Sequence, residues 1–176
     1  LEFRRVLFRS NKEERKILDG AATVVFLGKD ETLPDIGWSL RHMKKAGDEL
    51  LPQNQLIVKM LKEVAAKNGI HTFLAPVAVP QNGILEEETT FTDEIDLGDG
   101  VTIKRGSNNE GVLLGDGEAF VVSPADCLTV VAQSDKGLIA THAGRESLFD
   151  ANNPHRNGVI ENIIKILGEN SKIWAG

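Results

Sequence analysis

Two stretches of the chain carry apolar residues at helical spacing. In PQNQLIVKMLKEVAAKNGI, residues Leu56, Ile57, Met60, Leu61 and Val64 fall on one face of a helix. Pro52 suits its first turn, where the missing N–H would have had no intrahelical partner, and Asn68-Gly69 form its stop. Val159, Ile160, Ile163, Ile166 and Leu167 predict a second helix around Asn157–Leu167, ended by Gly168. Elsewhere the pattern is that of strands. ATVVFLG (22–28) is a short β-branched run that suits a buried strand. HTFLAPVAV (71–79) is a strand interrupted by Pro76, which predicts a bulge or an edge position because proline cannot donate to a ladder.

The segment EEETTFTDEIDLGDGVTIKRG predicts an acidic hairpin turning on Gly98-Asp99-Gly100. Calcium-loop spacing is absent from it, so its charges read as a solvated face. LGDG recurs at 97–100 and 114–117 as turn chemistry used twice. PADCLTVVAQSDKGLIATHAG (124–144) predicts a further hairpin, and SKIWAG at the end has the look of an apolar strand. LPDIGWSLRHMKKAGDELL reads as mixed loop and edge. Strands and helices interleave without regular spacing. This predicts an α/β or α+β fold, a layered mixed-sheet sandwich with flanking helices.

Composition narrows the class. At 176 residues and 41% apolar, the chain has the size and content of one globular domain. Its single cysteine excludes an internal disulfide and suits a reducing compartment. No apolar run is long enough to span a bilayer, and no signal segment with a cleavage site is visible, so the expectation is cytoplasmic, with no membrane partner. The first ten residues, LEFRRVLFRS, match the translation of a sequencing adapter residue for residue. They are therefore expected to be non-native, leaving 11–176 as the domain. Setting aside their three arginines and one glutamate takes the net charge from −6 to −8. A chain this acidic lacks the electrostatic footprint of a nucleic-acid binder.

The lone cysteine and one of four histidines sit at opposite ends of the 124–144 hairpin. If its turn is Ser134-Asp135-Lys136-Gly137, antiparallel pairing sets Thr129 across from His142 and Cys127 across from Gly144. Cys127 and His142 are then diagonal neighbours on one face, within reach of side chains that lean together. A zinc ion bound at about 2.3 Å by sulfur and about 2 Å by nitrogen can bridge such a pair. A slip of one residue would send the two side chains to opposite faces. The alternative is a small buried hydrophobe beside an ordinary satisfied histidine. Just beyond the histidine, Gly144 permits close approach to the backbone, and Arg145 offers a planar fork for phosphate or carboxylate.

VVSPADCLTVV and LIATHAGRESL together resemble the laccase-domain family, also called polyphenol-oxidase-like or multicopper-oxidoreductase-like. That family carries T-A-D-C-x-P, an apolar strand, a turn and H-A-G-W-R-G. The likeness extends to EGVLLGDGEAFVV (110–122), WSLRHMKKAGDE (38–49) and NGVIENIIKIL (157–167). It implies a zinc-dependent purine nucleoside phosphorylase acting on inosine, guanosine, adenosine and methylthioadenosine, with possible adenosine deamination. By the same resemblance Cys127 and His142 would be catalytic residues and metal ligands, and Arg145 would grip phosphate beside the sugar.

Several positions depart from the family pattern. The family's second histidine lies in a Q-V-H-G stretch, where this chain has Gln81-Asn82-Gly83. His71 is about a strand's length from that place, and His42 and His155 read as surface residues. HAGRES lacks the family's tryptophan and second glycine, and the chain stops before the family's G-P-x-I segment. The domain is accordingly expected to be incomplete at its C-terminus. Two rivals follow. Cys127 and His142 could act without metal as a thiolate–imidazole pair for amide hydrolysis or deamidation, a set that lacks an orienter for the histidine at the level of sequence. Alternatively the chain has lost catalysis and serves as a binding module. A copper site is less favoured, because two histidines and an axial ligand cannot be assembled around the cysteine.

Overall fold

The computed structural model describes residues 13–26, 52–76, 84–85, 91–106, 109–122, 127–149 and 157–176. Among these the strands form three sheets. A hairpin pairs β1 (Glu13–Ile17) with β2 (Ala22–Phe26) across a short 3₁₀ turn. A four-stranded sheet runs in the order β5 (Asp93–Gly98), β6 (Val101–Arg105), β3 (Thr72–Ala75), β8 (Glu118–Phe120). A five-stranded sheet runs β11 (Lys172–Ala175), β9 (Leu128–Ser134), β10 (Gly137–Ala143), β7 (Gly111–Leu114), β4 (Ile84–Leu85). Both larger sheets mix parallel with antiparallel pairs, and helices pack beside them. The architecture is an α+β sheet sandwich.

Helix α1 spans Pro52–Asn68 and ends where Gly69 takes a φ of +68°, a left-handed conformation that costs glycine little. Ile57, Leu61, Val64 and Ala65 are buried in one cluster with Phe73, Ile95, Leu97, Val101 and Ile103, which joins this helix to the four-stranded sheet. Ile95 and Leu97 alternate with exposed Glu94 and Asp96 along β5, so the acidic hairpin has a buried apolar face and a solvated charged one. Its turn is Asp99-Gly100, and Gly98, Asp99 and Gly100 all have positive φ.

The proline reading needs correction. β3 stops at Ala75, before Pro76, and lies inside the sheet, paired in parallel with both β6 and β8. The ladder therefore never has to accommodate the missing N–H, and an interior position becomes possible. The β1 strand was also not anticipated. Its sequence, EERKI, has one apolar residue in five, and only pairing with β2 makes it a strand.

The five-stranded sheet holds the hairpin. Ser134 pairs with Gly137, Val131 with Ala140 and Thr129 with His142, the register expected from the turn. Side chains alternate between faces, so Val130, Ala132, Ile139 and Ala143 point to one side. Helix α3 (Val159–Leu167) covers that side with Val159, Ile163 and Leu167, each almost fully buried. Its first turn is tied by the Glu161 carboxylate, which accepts from the Gly158 N–H, and Gly168 follows its last residue with φ +93°. Val131 and Ala140 point the other way and pack with Ile17, Val24, Phe120 and Trp174. Thr129 and His142 belong to this second face by the same alternation.

Candidate functional site

The site lies at one end of the five-stranded sheet, where β7 and β9 begin and β10 ends. Cys127 immediately precedes β9, and Gly144 follows β10. A Cβ built on Gly144 would stand 3.3 Å from His142 Cε1, 3.5 Å from Cys127 Sγ and 3.8 Å from Ser147 Oγ. Thiol, imidazole and hydroxyl thus meet around the buried Gly144, in a space about the size of a methyl group. The His142 side chain is 17% exposed and Cys127 is half-buried.

Behind the imidazole stands a residue that sequence reasoning missed. Glu110 is 2% exposed, and its Oε2 accepts from His142 Nδ1 at 2.8 Å. Its Oε1 accepts from the Ser147 hydroxyl at 2.7 Å. The His142 N–H also donates to the Glu110 carbonyl at 3.0 Å, so the two residues are joined through backbone and side chain alike. This follows from pairing. β7 and β10 are antiparallel with Gly111 against Thr141, which places Glu110 across from His142. Gly111 permits that approach, since a Cβ there would lie 2.4 Å from Thr141 Cβ and 2.7 Å from the Ala140 carbonyl oxygen. The only hint in the sequence was an acidic residue directly before the apolar run GVLL. The histidine's missing orienter is therefore supplied, from a strand remote in sequence.

Arg145 is exposed and opens the short helix α2 (Arg145–Leu148), immediately after Gly144. It is the next residue after the glycine around which thiol and imidazole meet. His71 is elsewhere. Its ring packs where a Cβ on Gly117 would be, at the turn leaving the far end of β7, and its Nδ1 lies 3.1 Å from Thr72 Oγ1. Gln81-Asn82-Gly83, His42, His155 and the 38–49 stretch lie outside the described residues, as do residues 1–10. A cavity lined by Ser134, Lys136 and Glu169 sits at the opposite end of the hairpin.

No family model, curated protein or solved structure matches this chain.

The donor types at the site suit zinc as far as they go. A cysteine sulfur and an imidazole whose other nitrogen is held by a carboxylate form a familiar metal-ligand pairing. The set stops at two, however. Among the described residues no three His, Cys, Asp or Glu side chains converge to hold a metal ion. A third donor would have to come from outside them. What the described residues do assemble is an imidazole hydrogen-bonded to a buried carboxylate, with a thiol close by.

Proposed function

We propose that this chain is a purine nucleoside phosphorylase of the laccase-domain type, with Cys127 and His142 at its reacting centre. The observation that supports this reading is that His142 Cε1 and Cys127 Sγ both lie within 3.5 Å of the position a Cβ on Gly144 would take. The A-D-C and H-A-G motifs, whose spacing produces that geometry, carry the resemblance. Phosphorolysis transfers the sugar's anomeric carbon from a purine nitrogen to a phosphate oxygen. It requires an anion held beside the sugar. Arg145, exposed and next in sequence to Gly144, offers a guanidinium fork suited to that anion. Zinc held by Cys127, His142 and a third donor would supply Lewis acidity.

A second reading is favoured by a specific observation. Glu110 completes a thiol–imidazole–carboxylate set from described residues alone, the arrangement of a cysteine hydrolase or deamidase. Geometrically that set needs no further ligand. Both readings place the chemistry at Cys127 and His142.

Elemental analysis of the purified protein, beside an assay of hypoxanthine release from inosine with and without phosphate, separates the readings. Stoichiometric zinc that disappears in Cys127→Ala, with phosphate-dependent release, supports the phosphorylase. Absence of metal together with a thiol whose alkylation depends on His142 transfers the site to the hydrolase. Absence of both leaves a binding module and ends the catalytic reading.

A further inference from the structure

We infer that Glu110 and Ser147 form a positioning pair that fixes which nitrogen of His142 carries its proton. The inference rests on the reading of Cys127 and His142 as a reactive site, but its test requires neither turnover nor bound metal. A carboxylate in the interior is costly unless its oxygens are engaged. Glu110 is 2% exposed, and both of its oxygens are engaged by groups of the site, His142 Nδ1 on one and the Ser147 hydroxyl on the other. Ser147 is itself 1% exposed. An ionised carboxylate only accepts, so in a hydrogen bond between it and His142 the ring nitrogen is the donor. The Nδ1–H tautomer follows, with the lone pair on Nε2. That is the nitrogen left to receive a proton from a thiol or to bind a cation.

The supporting parts of the fold agree. Gly111 lets β7 close on β10, the backbone bond from His142 to the Glu110 carbonyl fixes the register, and Ser147 holds the second oxygen so that the carboxylate plane cannot swing. A carboxylate retained merely to fill the core would be replaceable by an apolar side chain of similar size without effect on the imidazole. A positioning residue would not. Removing the acceptor frees the ring to adopt the tautomer that isolated imidazole side chains prefer, with the proton on Nε2, and the useful lone pair is lost.

The test uses the full chain, dialysed against chelator, with ¹⁵N-labelled histidine at neutral pH. Two-bond ¹⁵N–¹H correlation spectra report which nitrogen of His142 is protonated, and iodoacetamide reports the reactivity of Cys127. Wild type is expected to show the proton on Nδ1. Glu110→Leu is expected to show it on Nε2, with alkylation slowed severalfold. Glu110→Gln keeps an acceptor oxygen for Nδ1–H and is expected to retain the wild-type tautomer and most of the reactivity. Wild type protonated on Nε2, or Glu110→Leu with unchanged tautomer and alkylation, overturns the inference. If Glu110→Leu does not fold, the wild-type and Glu110→Gln spectra decide it, and Nε2–H in either one overturns it. A phosphorylase assay that fails while these spectra behave as expected removes the proposed activity and leaves the positioning role standing.

Discussion

Gly111→Ala is the most direct test of how the fold builds the site. The added methyl would stand 2.4 Å from Thr141 Cβ, 2.6 Å from Thr141 Oγ1 and 2.7 Å from the Ala140 carbonyl oxygen. All three distances are far inside van der Waals contact, and two of the three neighbouring atoms belong to a residue with no solvent exposure. A rotamer change cannot relieve a clash with a backbone oxygen or a Cβ, so β7 and β10 must separate locally. Forced overpacking of this kind costs about 1–3 kcal/mol. For a domain of this size each kcal/mol lowers Tm by about 2–4 °C, so a fall of about 2–12 °C is expected by calorimetry. Separation of the strands also draws Glu110 away from His142, so alkylation of Cys127 at a temperature well below Tm should slow alongside. Combining Gly111→Ala with Thr141→Gly should restore part of the loss, because the two sites are in contact and their effects are not additive. A Gly111→Ala protein with wild-type Tm would show that β7 and β10 do not approach as described, and the placement of Glu110 would fall with it.

Two further outcomes are expected. Gly144→Ala places a methyl 3.3 Å from His142 Cε1 and 3.5 Å from Cys127 Sγ in an ordinary extended conformation (φ −76°). The imidazole must give way to accommodate it, so Cys127 alkylation should slow about tenfold; an unchanged rate would mean that His142 and Cys127 do not meet at Gly144. The Asp19 carboxyl is held below its ordinary value of 3.8 by its hydrogen bond to Lys172 and by that residue's charge. A depressed carboxyl contributes stability above its unfolded value and loses it as pH falls through the folded one. Both partners are highly exposed, so Lys172→Met should leave Tm at neutral pH unchanged while the Asp19 titration, followed by ¹³C NMR, moves up toward the ordinary value; no movement would mean that the pair does not form in solution.

Local chemistry was legible where one segment carries its own instruction. The turn at Ser134–Gly137 fixed the hairpin register, and with it the relation of Thr129 to His142, because side-chain period and turn length leave no freedom. Both long helices were visible from their apolar stripes and glycine stops. Pro76 misled, since the strand simply ends before it. β1 was hidden because its charges mask a pairing supplied entirely by β2. Glu110 was hidden for a deeper reason. Its role depends on which strand lies beside β10, and strand order in a mixed sheet is decided by the packing of the whole chain. No motif around EGVLL announces it. The burial of a glutamate at the head of an apolar strand becomes meaningful only once its cross-strand neighbour is known.

The order of strands in the site sheet has a consequence for how the molecule matures. β9 and β10 are adjacent in sequence and can zip together early, whereas Glu110 reaches His142 from 32 positions away and arrives only when β7 docks. A half-assembled chain can therefore present sulfur and ring side by side with the ring still unfixed. The state of the His142 ring is then a stricter witness of complete assembly than strand content, because it is fixed only when this long-range contact closes.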